Sequence, residues 1–268
     1  MASKIKVDTL ETANGSGSIT LNNPIAGFES TGIDDNATST AITIDASERV
    51  GIGAAPTRNL HVQDATGACN VSIRAGDLTS SAQLVFGDTG ADNQGYISYL
   101  NSNDSMNIGS NGATAVTVDS SGIVTKPLQP AFQATATSQQ ANIPVNSQTL
   151  IAFAGETFDI GSNFASSTFT APVTGKYHLT VNVRLDDLDS AASYYQIWMR
   201  TSNRDYVKIM GVGGFDSDVT LWTLSMSILA DMDAGDTVYN NINQSSGTSQ
   251  TDIDGDGRYT NFSGYLVA

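Results

Sequence analysis

The distribution of aromatic side chains constrains this chain more than any other feature. Only four aromatic residues precede Pro130, and both tryptophans follow it. Those four are Phe28, Phe86, Tyr96 and Tyr99. Because aromatic side chains bury large areas and dominate the energetics of a compact core, we expect the C-terminal half to close a core by itself. The N-terminal half is expected to need partner chains that cover its apolar surface.

Composition favours β-structure and excludes some partners. The 268 residues include 27 acidic and 12 basic side chains, which gives a formal net charge of −15. Phosphate contacts need clustered Lys and Arg, so no nucleic-acid partner is expected. Only 15% of the residues are charged, and Gly, Ser, Thr, Asn and Asp are plentiful, which is typical of strands joined by many turns.

The sequence also lacks the usual signals of export and membrane insertion. The opening MASKIKVDTLET contains no apolar core of a signal peptide, and no apolar run approaches the roughly 18 residues of a membrane span. A single cysteine, Cys69, excludes an intrachain disulfide and a cysteine-based zinc site. We therefore expect a protein made in the cytoplasm, with no signal peptide and no membrane insertion.

Short alternating segments between turn residues predict β-hairpins in the N-terminal half. The segment AITIDASERV (41–50) is repeated as AVTVDSSGIV (115–124), and each copy has the pattern of a strand, a turn and a strand. The segment Lys126–Pro130 contains two prolines, which end ladder pairing. A monomeric two-sheet sandwich is an alternative for this half, although strands this short are marginal alone. The predicted organisation is an N-terminal attachment segment (1–35), a hairpin shaft (36–126) and a globular head (127–268).

Residues 1–126 resemble the repetitive shaft segments of bacteriophage tail fibres and related virion proteins. The resemblance rests on MASKIKVDTLETANGSGSITL at the N-terminus, the AITIDASERVGIG run that continues to Val62, and GYISYLNSNDSMNIGSNGATAVTVDSSG (95–122). It implies a shaft that is intertwined between three chains, so that each strand pairs with or packs against neighbours from other chains. Residues 1–35 would then attach the protein to the virion.

Longer strands are predicted in the C-terminal half. The segment Tyr177–Val183 alternates with period two, which places its four apolar residues on one face. The segment Tyr194–Met199 is apolar on both faces apart from Gln196. A strand with two apolar faces has to be covered twice, and the simplest second cover is a symmetric partner chain.

Three motifs in this half resemble the globular head domain of complement component one-q and its relatives in the tumour-necrosis-factor superfamily. They are FTAPVTGKY (169–177), MDAGDTV (232–238) and FSGYL (262–266), and the resemblance spans residues 130–268. It implies a ten-strand jelly-roll head that associates as a trimer around a three-fold axis. This chain departs from the animal relatives because it has no Gly-x-y stalk, and the hairpin region would take that role.

The sequence carries no recognised catalytic signature. It has no G-x-S-x-G, P-loop, H-E-x-x-H or G-x-G-x-x-G pattern, and its only histidines are His61 and His178, one in each half. Glycoside hydrolysis would need two carboxyl groups about 5 to 9 Å apart in a cleft, and sequence spacing does not show such a pair. We therefore expect no enzymatic activity.

Calcium is the one cofactor that the sequence raises. Asp252, Asp254 and Asp256 have the D-x-D-x-D-G spacing that begins a calcium loop. Position twelve of an EF-hand loop is Glu, but here it is Ser263, so an EF-hand is excluded. The three carboxylates either bind calcium with ligands from elsewhere or form a solvated acidic turn.

Together these observations predict an all-β, non-catalytic, homotrimeric fibre protein of a virion, made in the host cytoplasm. Its N-terminal region would bind other virion proteins, and its head would bind a host cell-surface receptor, either a glycan or an outer-membrane protein. The alternative is a structural protein that decorates or cements the capsid or tail, with the head as a trimerisation clamp. Receptor-binding candidates were chosen in or near the head loops 186–193, 202–206, 213–218 and 243–257. They are Asp187, Asp189, Tyr194, Asn203, Tyr206, Asp216, Asp218, Trp222 and Tyr259.

Overall fold

The computed structural model describes residues 29–30, 33–34 and 41–268. In these ranges every regular element is a β-strand, which confirms the predicted all-β class. No helix in the described residues is long and apolar enough to cross a membrane. Most of the predicted attachment segment, 1–35, lies outside the described residues.

The chain divides into two compact units, and the first unit comprises residues 1–72. Its described strands are β1 (Glu29–Ser30), β2 (Ile33–Asp34), β3 (Ile42–Ile44), β4 (Val50–Ile52) and β5 (Leu60–Val62). Strands β1 and β2 pair antiparallel. Strands β3 and β4 form the hairpin that the sequence predicted, and β5 extends this sheet by pairing parallel to β4.

The second unit, residues 73–268, begins with a five-stranded antiparallel sheet, which we call the shaft sheet. Its strands are β6 (Ser81–Phe86), β7 (Gly95–Leu100), β8 (Ser105–Ser110), β9 (Ala113–Val118) and β10 (Val124–Thr125), in the order β10-β9-β8-β7-β6. Each strand pairs with its neighbour in the same chain. The ladder of this sheet can therefore form within one chain, and the intertwining of three chains stays a prediction.

The two copies of the repeated sequence make the same turn. The Oδ1 atom of Asp45 accepts hydrogen bonds from the backbone N–H groups two and four residues later, at 2.9 and 3.1 Å. The Oδ1 atom of Asp119 accepts the same two bonds at 2.8 and 2.9 Å. The residue three positions after the aspartate, Glu48 or Gly122, has a positive φ of 59° or 80°. The internal repeat is therefore a repeated hairpin, as predicted.

Residues 127–268, the head, form a sandwich of two sheets. The head strands are β11 (Ala131–Thr135), β12 (Thr149–Leu150), β13 (Gly155–Asp159), β14 (Phe164–Ala165), β15 (Thr168–Thr170), β16 (Gly175–Leu188), β17 (Tyr194–Thr201), β18 (Asp205–Gly211), β19 (Val219–Met232), β20 (Thr237–Ser245), β21 (Asp252–Ile253) and β22 (Asn261–Leu266). The front sheet has the order β13-β11-β22-β16-β19, and the back sheet has the order β14-β15-β20-β17-β18. The two-residue strands β21 and β12 add to β16 and β20. The head is therefore the jelly-roll sandwich that the resemblance implied, with twelve strands where ten were expected, because β21 and β12 add one strand to each sheet.

The head closes its own core, as the aromatic distribution predicted. The ring of Phe132 stacks on Phe169 and Phe164 with centroid distances of 4.5 and 5.2 Å, and it meets Phe262 edge-on at 5.0 Å. All four rings are buried, and such aromatic pairs add to the stabilisation that burial provides. Gly264 makes this packing possible, because a Cβ atom there would lie 2.5 Å from a leucine side-chain carbon and 2.9 Å from the Phe132 ring.

The strand with two apolar faces is β17, which lies between β20 and β18 in the back sheet. Its inward residues Tyr195, Ile197 and Met199 are fully buried in the core. On the outward face, Trp198 is only 9% exposed in the single chain, and the Arg200 guanidinium lies 5.7 Å from its ring centroid. The chain covers most of this ring by itself, so β17 does not need the partner chain that its sequence suggested.

One buried amide in the head core has no hydrogen-bond partner. Asn240 lies on the inward face of β20 and is fully buried, and neither its Nδ2 nor its Oδ1 atom is bonded within the described residues. Gln244, on the same face, is equally buried but satisfied. Its Nε2 donates to the Ser249 carbonyl at 2.7 Å, and its Oε1 accepts from the Thr251 N–H at 3.1 Å. A buried polar group without partners costs folding free energy.

We expect Asn240→Leu to increase the free energy of unfolding by about 1–3 kcal/mol, because it replaces an unpaired amide by an apolar group of similar shape. The matched change Gln244→Met should decrease that free energy, because it leaves the bonded groups of residues 249 and 251 unpaired. Denaturant unfolding of both variants at one protein concentration measures the two effects. Destabilisation by Asn240→Leu would contradict this account of the core.

Candidate binding surface at the distal end of the head

Strand register defines two ends of the head. The chain enters from the shaft sheet where Ala131 pairs with Tyr265, and we call this the proximal end. At the other end, Leu188 of β16 pairs with Val219 of β19. Three loops emerge together at this distal end. They are 189–193 between β16 and β17, 212–218 between β18 and β19, and 246–251 between β20 and β21.

A buried carboxylate holds two of these loops together. Asp189 is 1% exposed, and its Oδ1 accepts a hydrogen bond from the Ala191 N–H at 2.8 Å. Its Oδ2 accepts from the backbone N–H groups of Thr248 and Ser249, at 2.5 and 2.8 Å. Burial raises the pKa of Asp189, but the N–H donors of Ser249, Ala191 and Thr248 outweigh it, so this pKa lies below the ordinary value. Asp189 is therefore a buried, charged side chain whose hydrogen bonds hold the two loops together, and we call this arrangement the Asp189 lock.

Serine hydroxyl groups connect loop 189–193 to loop 212–218 and also to loop 246–251. The backbone N–H and the hydroxyl of Ser190 both donate to Oδ1 of Asp218, at 2.8 and 2.7 Å. The hydroxyls of Ser193 and Ser246 lie 2.8 Å apart and bond to each other. With the Asp189 lock, these bonds tie all three distal loops into one surface. A surface fixed in this way loses little conformational entropy when it binds a partner.

The distal surface carries an aromatic pair, of which Trp222 is exposed and Phe215 is partly buried against the head core. Trp222 is 39% exposed, and its ring meets Phe215 edge-on with a centroid distance of 5.2 Å. Leu221 beside it is 53% exposed. The carboxylates of Asp216 and Asp218 follow Phe215 in the same loop, and both residues are exposed. An aromatic anchor surrounded by polar groups is the usual composition of a binding surface.

The structure brings some of the predicted binding residues together and separates others. Asp187, Asp216, Asp218 and Trp222 lie at the distal end, and Tyr194 begins β17 there. Asp189 also lies there, but its burial makes it a structural residue. Phe215, which is partly buried against the head core, was missed, and the Gly213-Gly214 pair before it is the sequence signal of a turn that could have indicated it.

Three further candidates contact other parts of the head. Asn203 lies at the proximal end, where its Nδ2 donates to the Asp231 carbonyl at 3.1 Å and to Asp236 Oδ2 at 2.9 Å. Tyr206 packs against the head core. The ring of Tyr259 is held by a guanidinium group, since Arg184 lies 4.3 Å from its centroid. The side chains of these three predicted binding residues therefore already make contacts within the head.

The three aspartates of the predicted calcium loop have protein partners in this structure. Asp252 accepts hydrogen bonds from the Gln139 side chain at 2.7 Å and the Asn142 backbone N–H at 2.6 Å. Asp254 forms an ion pair with Arg184. Asp256 pairs with Arg258, whose hydrogen bonds lower the pKa of Asp256 to about 2. Within the described residues no group of three His, Cys, Asp or Glu side chains is placed to hold a metal ion. The calcium site stays a prediction from spacing alone.

A second surface lies on the outer face of the front sheet, near the proximal end. Tyr265, His178 and Leu229 form one row across β22, β16 and β19. Tyr265 and Leu229 are 50% and 56% exposed. Phe158 on β13 is also exposed and lines, with Tyr265 and His178, a hollow of 320 Å³. This face is apolar and uncovered in the single chain.

The sandwich also has an open, partly apolar edge. Strand β18 ends the back sheet and β19 ends the front sheet. Between them lies a hollow of 540 Å³, which is lined by the apolar residues Val207, Ile209, Met226 and Ile228 and by the polar residues Tyr206, Lys208, Ser225 and Ser227. The head therefore exposes an apolar face and a partly apolar edge that differ from each other.

Residues 131–267, just over half of the chain, match the family described as the C1q domain. The chain therefore belongs to the C1q domain family, and the resemblance that the three sequence motifs indicated is confirmed. Domains of this C1q and tumour-necrosis-factor-like type are generally non-catalytic binding modules, and they commonly form trimers.

Solved structures give matches over the same share of the chain. The globular domain of zebrafish complement 1qA protein is 14% identical with a TM-score of 0.39, and the match covers 52% of this chain and 98% of that chain. Murine APRIL is 10% identical with a TM-score of 0.38, and the match covers 52% of this chain and 99% of that chain. A search of curated proteins found no match.

The Asp189 lock predicts a pH-dependent stability. The pKa of Asp189 is lower in the folded than in the unfolded state. Its carboxylate therefore stabilises the folded state fully above the unfolded-state pKa of about 3.9, and this stabilisation is lost as the pH falls through the folded-state pKa. We expect Asp189→Asn to reduce the free energy of unfolding by about 1–3 kcal/mol near neutral pH, and the difference from the wild type to narrow towards pH ~3. The exposed neighbour Asp187→Asn serves as the control. A difference that is the same at both pH values would refute the charged lock.

Proposed function

We propose that this chain is a non-catalytic homotrimeric fibre protein of a bacteriophage virion. In this proposal its N-terminal region attaches to other virion proteins, and the distal end of its C1q domain binds a host cell-surface glycan or outer-membrane protein during adsorption. The protein is then part of a tail fibre or another appendage of the virion. The observation that carries the proposal is that three tied loops with the exposed Trp222, which contacts Phe215, lie at the end of the head opposite the shaft sheet.

The proposed trimer uses the two uncovered apolar surfaces of the head. The outer face around Tyr265 and Leu229 differs from the edge between β18 and β19, so a contact between face and edge is heterologous. Heterologous contacts form a closed ring when the rotation between copies closes, and three copies make the smallest such ring beyond a dimer. Each chain then offers its face to one neighbour and its edge to the other. The common trimerisation of C1q domains supports this arrangement.

Two matched substitutions test this interface. We expect Tyr265→Asp to shift the protein from trimer to smaller species, because it would bury a charge between copies. Leu150→Asp is the control, since Leu150 is 44% exposed and projects from the back sheet beside Asn241. Native mass spectrometry or light scattering measures the assembly. An unchanged trimer with Tyr265→Asp, or dissociation by Leu150→Asp alone, would place the interface elsewhere.

The distal loops are suited to receptor binding for two physical reasons. They are fixed by the Asp189 lock and by the Ser190–Asp218 bonds, so little order has to be gained on binding. A trimer also presents three copies of the Trp222 surface on one rigid scaffold. Binding several weak sites at once raises the overall affinity without any single tight contact.

Cell binding by variants tests the role of the distal aromatic pair. We expect Trp222→Ala to reduce the fraction of labelled protein on host cells at least about tenfold, which is the loss expected for an aromatic anchor. Val173→Ala, at an exposed apolar position near the proximal end, should bind like the wild type. Native mass should be unchanged for both variants. Equal cell binding by the two would remove the aromatic pair from the proposal.

The same experiment separates the two functions that the sequence raised. Protein that labels host cells, or that blocks infection, supports the adsorption role. Protein that binds only the virus particles would favour a decoration or cementing role, in which the head serves as a trimerisation clamp. Release of oligosaccharide from the host envelope would contradict the non-catalytic assignment.

A further inference from the structure

The shaft sheet has one face made of apolar side chains. Because strand register aligns neighbouring residues, this face contains two rows that run across the strands. One row is Leu84, Ile97, Ile108 and Val116, and the other is Ala82, Tyr99, Met106, Val118 and Val124. We call this surface the apolar shaft face.

The apolar face of the shaft sheet is exposed and much of its polar face is buried, which is the reverse of a usual antiparallel sheet. The large side chains of β6, β7, β8 and β10 on the apolar shaft face are 38 to 58% exposed. On the opposite face, Ser98, Ser105 and Asn107 are less than 9% exposed. An antiparallel sheet normally buries its apolar face and hydrates its polar one. The apolar shaft face is therefore a surface that lacks its cover in the described single chain.

The apolar shaft face is continuous with the apolar face of the head. Val124, at the end of the apolar row, lines a hollow of 380 Å³ together with Ile160 and Tyr265 of the head. Tyr265 belongs to the outer face of the front sheet, where the proposed trimer forms. The short linker 126–130 is docked on the head, since Leu266 N–H donates to the Pro130 carbonyl at 3.0 Å. Both apolar surfaces thus meet at one place in the molecule.

Charge indicates what kind of partner covers this face. The chain has a net charge of −15, so bringing copies together costs repulsion over most of the surface. The two rows of the apolar shaft face contain no charged residue. An uncharged apolar surface on a strongly acidic chain is suited to contact with the same surface of other copies.

We infer that the cover is the apolar shaft face of two further copies, which pack against each other around the axis of the head trimer. This inference rests on the trimer in the proposed function and adds how the shaft assembles. The strands keep their pairing within each chain, and three sheets meet through side chains to form a three-sided prism. The shaft is then packed between chains, with no strand exchange in residues 81–125.

The size of the face shows that the shaft assembles together with the head. Four strands of six residues, spaced about 4.8 Å apart with about 3.3 Å per residue, and the two-residue strand β10 give a face of roughly 400 Å². Stable interfaces bury about 800 Å² per partner. The apolar shaft face is therefore too small to hold copies together alone, and it depends on the head contact to which it is joined.

Cysteine cross-linking of the full chain tests the inference. In a Cys69→Ser background, which removes the exposed native thiol, Ile97→Cys places one thiol in the centre of the apolar shaft face. Gln83→Cys is the matched control on the opposite face of the same sheet. A bis-maleimide that spans about 10 Å, the distance between packed sheets, is added and the products are separated under denaturing conditions. Leu84→Cys repeats the test on the neighbouring strand.

We expect Ile97→Cys to give covalent dimers at about tenfold the yield of Gln83→Cys, because only the apolar face brings thiols of different chains within about 10 Å. Native trimers without this cross-link, but with a thiol that reacts freely with a single maleimide, would overturn the inference and leave the head trimer intact. A thiol that neither cross-links nor reacts would show that a surface other than the same face of another copy covers it, which also overturns the inference. A monomeric protein would remove the proposed trimer itself.

Discussion

Burial of apolar β-surface is the constraint on which the rest of this structure depends. The head satisfies it within one chain, because Phe132, Phe169 and Phe262 fill the space between its two sheets. The shaft sheet does not satisfy it, since a single sheet has only one layer and its apolar face remains exposed. The front face of the head shares this property near Tyr265. The proposed association of three copies would cover all of these surfaces at once.

The proposed trimer contact and the proposed binding site use different parts of the head. Its proximal half carries the exposed apolar face that the proposed trimer uses, and its distal end carries polar loops around one aromatic pair. Buried hydrogen bonds to Asp189 hold the distal loops without using apolar surface. A surface that is rigid yet largely polar stays hydrated in the free protein, which is the behaviour required of a binding site on a soluble appendage.

Local sequence patterns predicted the features that depend on neighbouring residues. The repeated hairpins follow from the Asp45 and Asp119 turns, and the core of the head follows from the aromatic residues after Pro130. The C1q resemblance gave the jelly roll, because its motifs mark turns and the closely packed Gly264.

Features that depend on residues far apart in sequence could not be predicted. Asp189 looked like a surface carboxylate, but loop 246–251 closes over it. Asn203 is a predicted binding residue in loop 202–206, but strand register places it at the end of the head opposite the distal loops. Trp198 was assigned to a partner interface, but its own chain covers it. In each case the deciding contact comes from a strand or loop that sequence order does not place nearby.

The mass of the full-length protein in solution tests the central claim most directly. Sedimentation equilibrium at micromolar concentration should give a single species at three times 28.0 kDa. A compact, soluble species of 28.0 kDa under the same conditions would show that one chain tolerates its exposed apolar faces, and it would contradict the account.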